Sequence, residues 1–254
     1  MNLLSPAPVF TPVATCGTIH GVGLGPGAPD LLSVRADRLV RGARHVAYFR
    51  KAGRPGQARR IAEGMLRADV VEIAMEYPVT TEIPLTDPRY NEQLSSFYAE
   101  CTERMAALAH SGEDVVVLCE GDPFFYGSFM HLHSRLSGVV PVNVVPGITG
   151  MAGAWNATGV PITWGDDVLT VAMATLPEDE LVRRIRDTDA LVVMKIGRNL
   201  PKLRRAVAAA GREDVAWLVE HAAMPGQRVT PLTKAESVTP YFSILLIHGQ
   251  GRRP

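Results

Sequence analysis

An α/β fold built from two successive α/β units is what this 254-residue sequence predicts, on three observations. Short aliphatic runs rich in branched residues alternate with longer segments whose apolar positions recur at helical spacing, the pattern of a parallel sheet covered by helices. That alternation runs from about Gly17 to Val145 and restarts beyond about residue 160. Glycine- and proline-rich breaks follow the strand-like runs, at the carboxyl ends where open α/β sheets bind ligands. The expected organisation is a leader over 1–16, a first unit over 17–142 and a second over 143–254.

The leader holds three prolines and no basic run, so it does not read as a signal peptide. Gly17 to Gly23 reads as a first strand that breaks into Leu24-Gly25-Pro26-Gly27, with a helix expected from Leu31 to about Gly42. Gly21-x-Gly23 invites a dinucleotide reading, but Pro26 removes an N–H that a phosphate cradle would use, and no Walker lysine follows. Arg35, Arg38, Arg41 and Arg44 form a solvated charge stripe on that helix. His45 to Phe49 is a second strand, and Arg50, Lys51 and Arg54 follow it as cations at a strand end, suited either to an acidic ligand or to a plain turn. Val70 to Met75 is a third strand, leading through Tyr77 into an excursion that ends near Pro88. Leu94, Phe97, Tyr98, Cys101, Met105 and Leu108 mark an amphipathic helix over 90–110.

Val115-Val116-Val117-Leu118-Cys119 is the most strongly apolar run, a strand buried on both faces. It opens into Glu120-Gly121-Asp122-Pro123-Phe124-Phe125-Tyr126-Gly127, where carboxylates, rings and exposed main chain crowd together. Phe129, Leu132 and Leu136 then mark a helix. A strand over 139–145 ends in Pro146-Gly147-Ile148-Thr149-Gly150, followed by small residues that allow close backbone approach. In the second unit, strands are expected at 168–173, 190–194, 215–219 and 241–248. Helices are expected over 177–187 and 200–210, the latter closed by Gly211.

The charges cancel, 26 basic against 26 acidic, which leaves no global field for nucleic acid or an anionic membrane. Three dispersed cysteines and no Cys/His ligand spacing argue against a disulfide framework or a metal site and for the cytoplasm. His131 and His133 are two residues apart, not at the i, i+4 spacing of a helical zinc pair. No Gly-x-Ser-x-Gly elbow is present.

Taken in order, GVGLGPG, EGDPFFYGSF, VVPGITG, VVMKIGRN, EHAAMPGQRV and PYFSILLI resemble the tetrapyrrole (corrin) methyltransferase family from about Gly17 to His248. The detail of EGDPFFYGSFMHLHSRL, MEYPVTTEIPLTDP and DDVLTV is most similar to members that methylate the C(20) meso carbon of precorrin-2. The resemblance implies two α/β domains, S-adenosylmethionine in the cleft between them, and a homodimer. It implies cofactor contacts at Pro26, at Glu120, Gly121 and Asp122 gripping the methionine portion, and at Phe125 and Tyr126 beside it. Thr149 and Gly150, Met194, His221, Ala222 and Ala223, and Ile244 would complete the adenosine side. For the tetrapyrrole substrate, Arg50, Lys51, Arg54, Tyr77 and Asp30 are the expected contacts. One departure stands out: where the family's first loop carries an acid after Gly-Pro-Gly, this chain has Ala28, so that either Asp30 substitutes from two positions later or the reaction does without the acid. No general base is assigned. Methylation at another position of a neighbouring corrin precursor, or binding without turnover, are the alternative readings.

Overall fold

The computed structural model describes residues 15–79 and 87–251. The leader through residue 14 and most of the excursion before Pro88 lie outside them.

Five parallel strands form the first sheet: β1 (Ile19–Gly23), β2 (His45–Lys51), β3 (Val71–Tyr77), β4 (Val115–Cys119) and β5 (Val142–Val145). Their order is β3-β2-β4-β1-β5, so the most apolar run takes the centre. The two-residue period of β4 explains why it is apolar throughout. Val115, Val117 and Cys119 pack under helices α3 (Pro88–His110) and α4 (Phe129–Leu136). Val116 and Leu118 face α1 (Val34–Gly42) and α2 (Gln57–Ile61) on the other side. The short α2 has no clear period in the sequence and was not expected.

The helix expected from Leu31 begins instead at Val34. Ser33 caps it by accepting the Ala36 N–H at 3.1 Å, and Pro29–Leu31 forms a separate 3₁₀ turn. The expected boundary between residues 142 and 143 falls inside β5, which pairs with β1 along its whole length. The first sheet therefore runs through Val145.

Helix α5 (Gly150–Thr158) leaves the first sheet and packs on the second. That sheet comprises β6 (Leu169–Met173), β7 (Ala190–Met194), β8 (Ala216–Glu220), β9 (Arg228–Pro231) and β10 (Ser243–Ile247), in the order β6-β7-β10-β8-β9. Only β6 and β7 are parallel; the remaining pairs are antiparallel. One face is covered by α6 (Glu178–Arg186) and α7 (Leu200–Ala209), and the other by Met151, Ala154 and Trp155 of α5. Strand β9 escaped the sequence reading because it is four residues long and carries a proline. Among the described residues no helix is long and apolar enough to cross a membrane.

The loops after β1, β4 and β5 meet main chain to main chain. Gly121 N–H donates to Gly25 O at 2.8 Å, Gly25 N–H returns the bond at 3.3 Å, and Leu24 N–H donates to Cys119 O at 2.9 Å. A Cβ on Gly23 would lie 2.6 Å from Gly147 N and 2.8 Å from Gly121 O, so a side chain has no room there. A Cβ on Gly147 would strike the same carbonyl. Gly147→Ala should therefore lower stability by about 2 kcal/mol or more, through overpacking against main chain that cannot yield. Gly42→Ala, at the exposed end of α1 with open space around it, should gain about 0.5 kcal/mol. Urea unfolding of the two variants against wild type reads both, and equal midpoints for all three would refute the packing account.

Candidate functional site

Because all five strands of the first sheet are parallel, their following loops gather at one edge, and there they meet the second unit. Pro26 is buried, and a Cβ on Gly153 of α5 would lie 2.8 Å from the Pro26 ring and 3.8 Å from Ala222. Gly27 closes on the loop after β8, where its Cβ would meet Ala223 O at 2.8 Å. From the first position of α2, Gln57 Nε2 donates to Met224 Sδ at 3.6 Å. A Cβ on Gly121 would lie 3.7 Å from Gly150 N and 3.9 Å from Thr149 Cα, and one on Gly150 would lie 3.8 Å from Ile244 Cδ1. Thr149 caps α5 by accepting from Ala152 N. Met194, Ala222 and Ile244 share the sheet face on which α5 packs.

The structure thus brings Pro26, Gly121, Thr149, Gly150, Ala222, Ala223 and Ile244 together at the junction, with Met194 on the adjoining face. His221 begins the same loop, held by its N–H on Phe242 O at 2.8 Å. Small residues of the first unit and of α5 meet aliphatic residues of the second sheet there, with main-chain polar groups beside them.

Asp122 already holds the loops in place. Its Oδ1 accepts the Phe124 N–H at 2.9 Å and its Oδ2 accepts the Gly147 N–H at 3.0 Å, tying the β4 loop to the β5 turn. Phe125 N–H bonds to Asp122 O at 3.2 Å, and the Phe125 and Tyr126 rings meet edge to face at 4.9 Å.

The expected substrate contacts divide. Arg50 stands directly across from Glu76 in the β2–β3 register, and its Nε donates to Glu76 Oε1 at 2.8 Å. It is a cross-strand ion pair, not the uncommitted cation expected at the strand end. Lys51 is the exposed last residue of β2, and Arg54 is exposed in the turn that follows. Tyr77 is built into an aromatic cluster, stacked on Phe49 at 5.5 Å and tilted on Phe97 at 5.3 Å, with its hydroxyl bonded to Ser128 Oγ. Asp30 sits exposed on the 3₁₀ turn that Ala28 caps.

Of two further residues near the junction, Lys195 gave no sequence signal of its role, and Tyr241 was expected only to help complete the adenine side through its main chain. Tyr241 precedes β10 with 79% of its surface exposed, unusual for an aromatic ring. Burial among surrounding atoms still raises its pKa, with the Glu120 charge as the second cause. Lys195, at the end of β7, holds its ammonium over the Tyr126 ring at 5.8 Å, linking the two units. Lys195, Tyr126, His221 and Ala223 are the non-glycine residues with positive φ among the described residues, between 51° and 55°. Such backbone costs of order 1–3 kcal/mol each and gathers at functional sites. Near Lys195, His131 stacks on Tyr98 at 4.5 Å. Its pKa is lowered first by burial and then by the charges of Arg135 and Lys195, the mark of a locally cationic wall.

Glu120 differs from every carboxylate around it. It is exposed, yet the surrounding protein desolvates the carboxyl and raises its pKa from 4.5 to about 7. Between those two values the folded protein holds a proton that the unfolded chain has lost, so this group's contribution to stability falls as pH rises through that window. Glu120→Gln should raise the melting temperature at about pH 8 and change it much less near pH 5. Scanning calorimetry at both values measures this; a variant no more stable than wild type at the higher pH would contradict the desolvation.

A model of the tetrapyrrole (corrin/porphyrin) methylases matches residues 18–238 of the chain. A Sinorhizobium sp protein, precorrin-2 C(20)-methyltransferase, is 51% identical over 239 residues, covering 94% of this chain and 98% of the relative. The Salmonella typhimurium cobalt-precorrin-2 C(20)-methyltransferase is 26% identical over 240 residues, 92% of this chain and 97% of its own. Among solved structures, the uroporphyrin-III C-methyl transferase of Thermus thermophilus complexed with S-adenyl homocysteine is similar in fold, with a TM-score of 0.61 at 21% identity. It covers 91% of this chain and 97% of that one.

Proposed function

The chain belongs to the tetrapyrrole (corrin/porphyrin) methylase family, and from that premise we propose that it transfers a methyl group from S-adenosylmethionine to the C(20) meso carbon of precorrin-2. The observation that carries the reading is the junction itself. Loops from the first sheet close against the β8–β9 loop and β10 through small residues, and Lys195 of the second unit reaches over the Tyr126 ring of the first. Identity to the relative named for precorrin-2 is about twice that to the relative named for cobalt-precorrin-2, 51% against 26%. That difference favours the metal-free substrate.

S-adenosylmethionine, when bound, supplies an electrophilic methyl group on a sulfonium sulfur. The slot between Ala222, Ile244 and Met194 suits its adenine, and the main chain around Gly121 and Thr149 suits its amino-acid end. Pro26 closes the slot without presenting an N–H, which costs nothing here because the cofactor has no phosphate to cradle. The exposed rings of Tyr126 and Tyr241 form an apolar surface for a macrocycle, and Lys195 gives its carboxylates a cation. The chain's chief contribution to rate is alignment of acceptor carbon and methyl group in a cleft from which bulk water is excluded. Free thiols at Cys101 and Cys119 suit a reducing compartment, and a cytoplasmic homodimer completes the reading.

Anaerobic incubation with precorrin-2 and S-adenosylmethionine should yield a product heavier by one methyl, with the new carbon placed at C(20) by NMR. A methyl found at another carbon would replace the regiochemistry. Binding of both ligands without transfer would make the protein a carrier. Lys195→Asn removes the charge while keeping a residue that tolerates positive φ. It should raise KM for the tetrapyrrole about tenfold, the worth of one charged hydrogen bond, and leave S-adenosylhomocysteine affinity unchanged. An unaltered KM would exclude Lys195 as a carboxylate anchor.

A further inference from the structure

We propose that the buried Glu220 carboxylate is a positioning residue for the cofactor. It clamps the two ends of the β8–β9 loop together and, through Thr239, holds the approach to β10, so that it fixes main chain beside the adenosine without reaching the cofactor itself. The inference rests on the S-adenosylmethionine reading above.

Glu220 is the last residue of β8 and is 3% exposed. Strand register sets it directly across from Arg228, the first residue of β9, and from Ser243, the first residue of β10. Its Oε2 accepts from Arg228 Nε at 2.6 Å, and its Oε1 accepts from Thr239 Oγ1 at 2.9 Å. Thr239 is itself buried, with its hydroxyl 2.6 Å from Ser243 Oγ, and Ser243 Oγ donates to Pro240 O at 2.7 Å. Glu236 holds Arg228 from the outer side at 2.9 Å. One carboxylate thus ties three neighbouring strands at the row where two loops leave the sheet. Its burial makes the tie firm, because an ionised carboxyl withdrawn from water is tolerated only while its partners stay in place.

The loop between the clamped ends needs such a hold. His221 and Ala223 both have positive φ, 51° and 55°, backbone that relaxes unless its surroundings over-determine it. His221 N–H donates to Phe242 O at 2.8 Å, Ala223 N–H to Gln227 Oε1 at 2.8 Å and Met224 N–H to His221 O at 2.9 Å. Each of these bonds starts or ends on a segment that the Glu220 network anchors. The same loop carries contacts with the first unit, where Ala223 O faces Gly27 and Met224 Sδ accepts from Gln57 Nε2 at 3.6 Å. A slack loop would move Ala222 off the face on which α5 packs and loosen the junction with it.

Calorimetric titration with S-adenosylhomocysteine, run beside thermal unfolding on the full chain, tests the assignment. Thr239→Val keeps the side-chain shape and the Glu220–Arg228 pair but removes the hydroxyl. It should bind S-adenosylhomocysteine about tenfold more weakly, the size of one charged hydrogen bond, and raise KM for S-adenosylmethionine more than it lowers kcat. Glu220→Gln should weaken binding in the same direction, whereas Thr239→Ser, which restores the hydroxyl, should bind within about twofold of wild type. Thr188→Val is the control for stability alone. Thr188 is buried and donates to Val168 O and Ala190 O at 2.9 Å each, at the end of β7 away from Met194. That variant should melt earlier than wild type with its S-adenosylhomocysteine affinity intact. Amide exchange at His221 and Ala223 should quicken in Thr239→Val and stay as in wild type in Thr188→Val.

The positioning role is overturned by a Thr239→Val protein that binds S-adenosylhomocysteine as wild type does. It is equally overturned if Thr188→Val, at a matched loss of melting temperature, loses as much affinity. Should Glu220→Gln fail to fold, Thr239→Val and its serine rescue decide alone. A wild type that binds no S-adenosylhomocysteine refutes the cofactor reading and this proposal together, whereas a wild type and variants that bind equally refute the clamp alone.

Discussion

The main-chain contact between the loops after β1 and β4 is the constraint on which the rest of the site depends. Gly25 and Gly121 exchange two hydrogen bonds, and the Asp122 carboxylate extends the contact to the Gly147 turn after β5. Backbones this close admit no side chain, which is why glycine stands at 23 and 147, while Gly121 is required by its left-handed φ of 68°. The same closeness directs the chain out of the first sheet. With the β5 turn held against Gly23, α5 departs toward the second sheet and packs under β8 and β10.

From that fixed edge the properties of the cleft follow. Loops that must both hold the edge and reach the second unit take backbone conformations that side chains disfavour, at Tyr126, Lys195, His221 and Ala223. Their strain is borne by two well-packed sheets, each buried on both faces. Electrostatics follows from the same geometry. Glu120 is held at the end of a central strand with protein on most sides, so its charge is poorly solvated although water reaches it. A side chain of the same type at an exposed helix position, such as Glu180, is paired with arginines and has its pKa lowered.

The local elements were largely legible because they are written in period and composition, whereas the strand order was not. Five apolar residues at 115–119 marked a strand covered on both faces, and the structure places it at the sheet's centre. The helical spacing of Phe97, Cys101 and Met105 marked α3. The site was legible mainly as motif, through glycines, prolines and small residues that have few other uses at strand ends. The mixed direction of the second sheet was not, since an apolar strand reads alike whether its neighbour is parallel or antiparallel. Arg50 shows the limit more sharply. At a strand's end it reads as a cation awaiting a ligand, and only the register that sets it opposite Glu76 reveals its partner.

The sequence by itself determined the α/β class, the two-unit plan, the family and the loops that build the cleft, because each of these is carried by neighbouring residues. Tertiary structure alone decided which carboxylates and cations remain uncommitted. Asp122 became a brace, Arg50 an ion-pair partner and Tyr77 a core ring, while Lys195 came to lie over the Tyr126 ring of the other unit. Commitment is a matter of what lies across a strand or between the two units, often more than a hundred residues away along the chain, as Met224 is from Gln57. No local pattern encodes those distances; strand register and the packing of the two units set them.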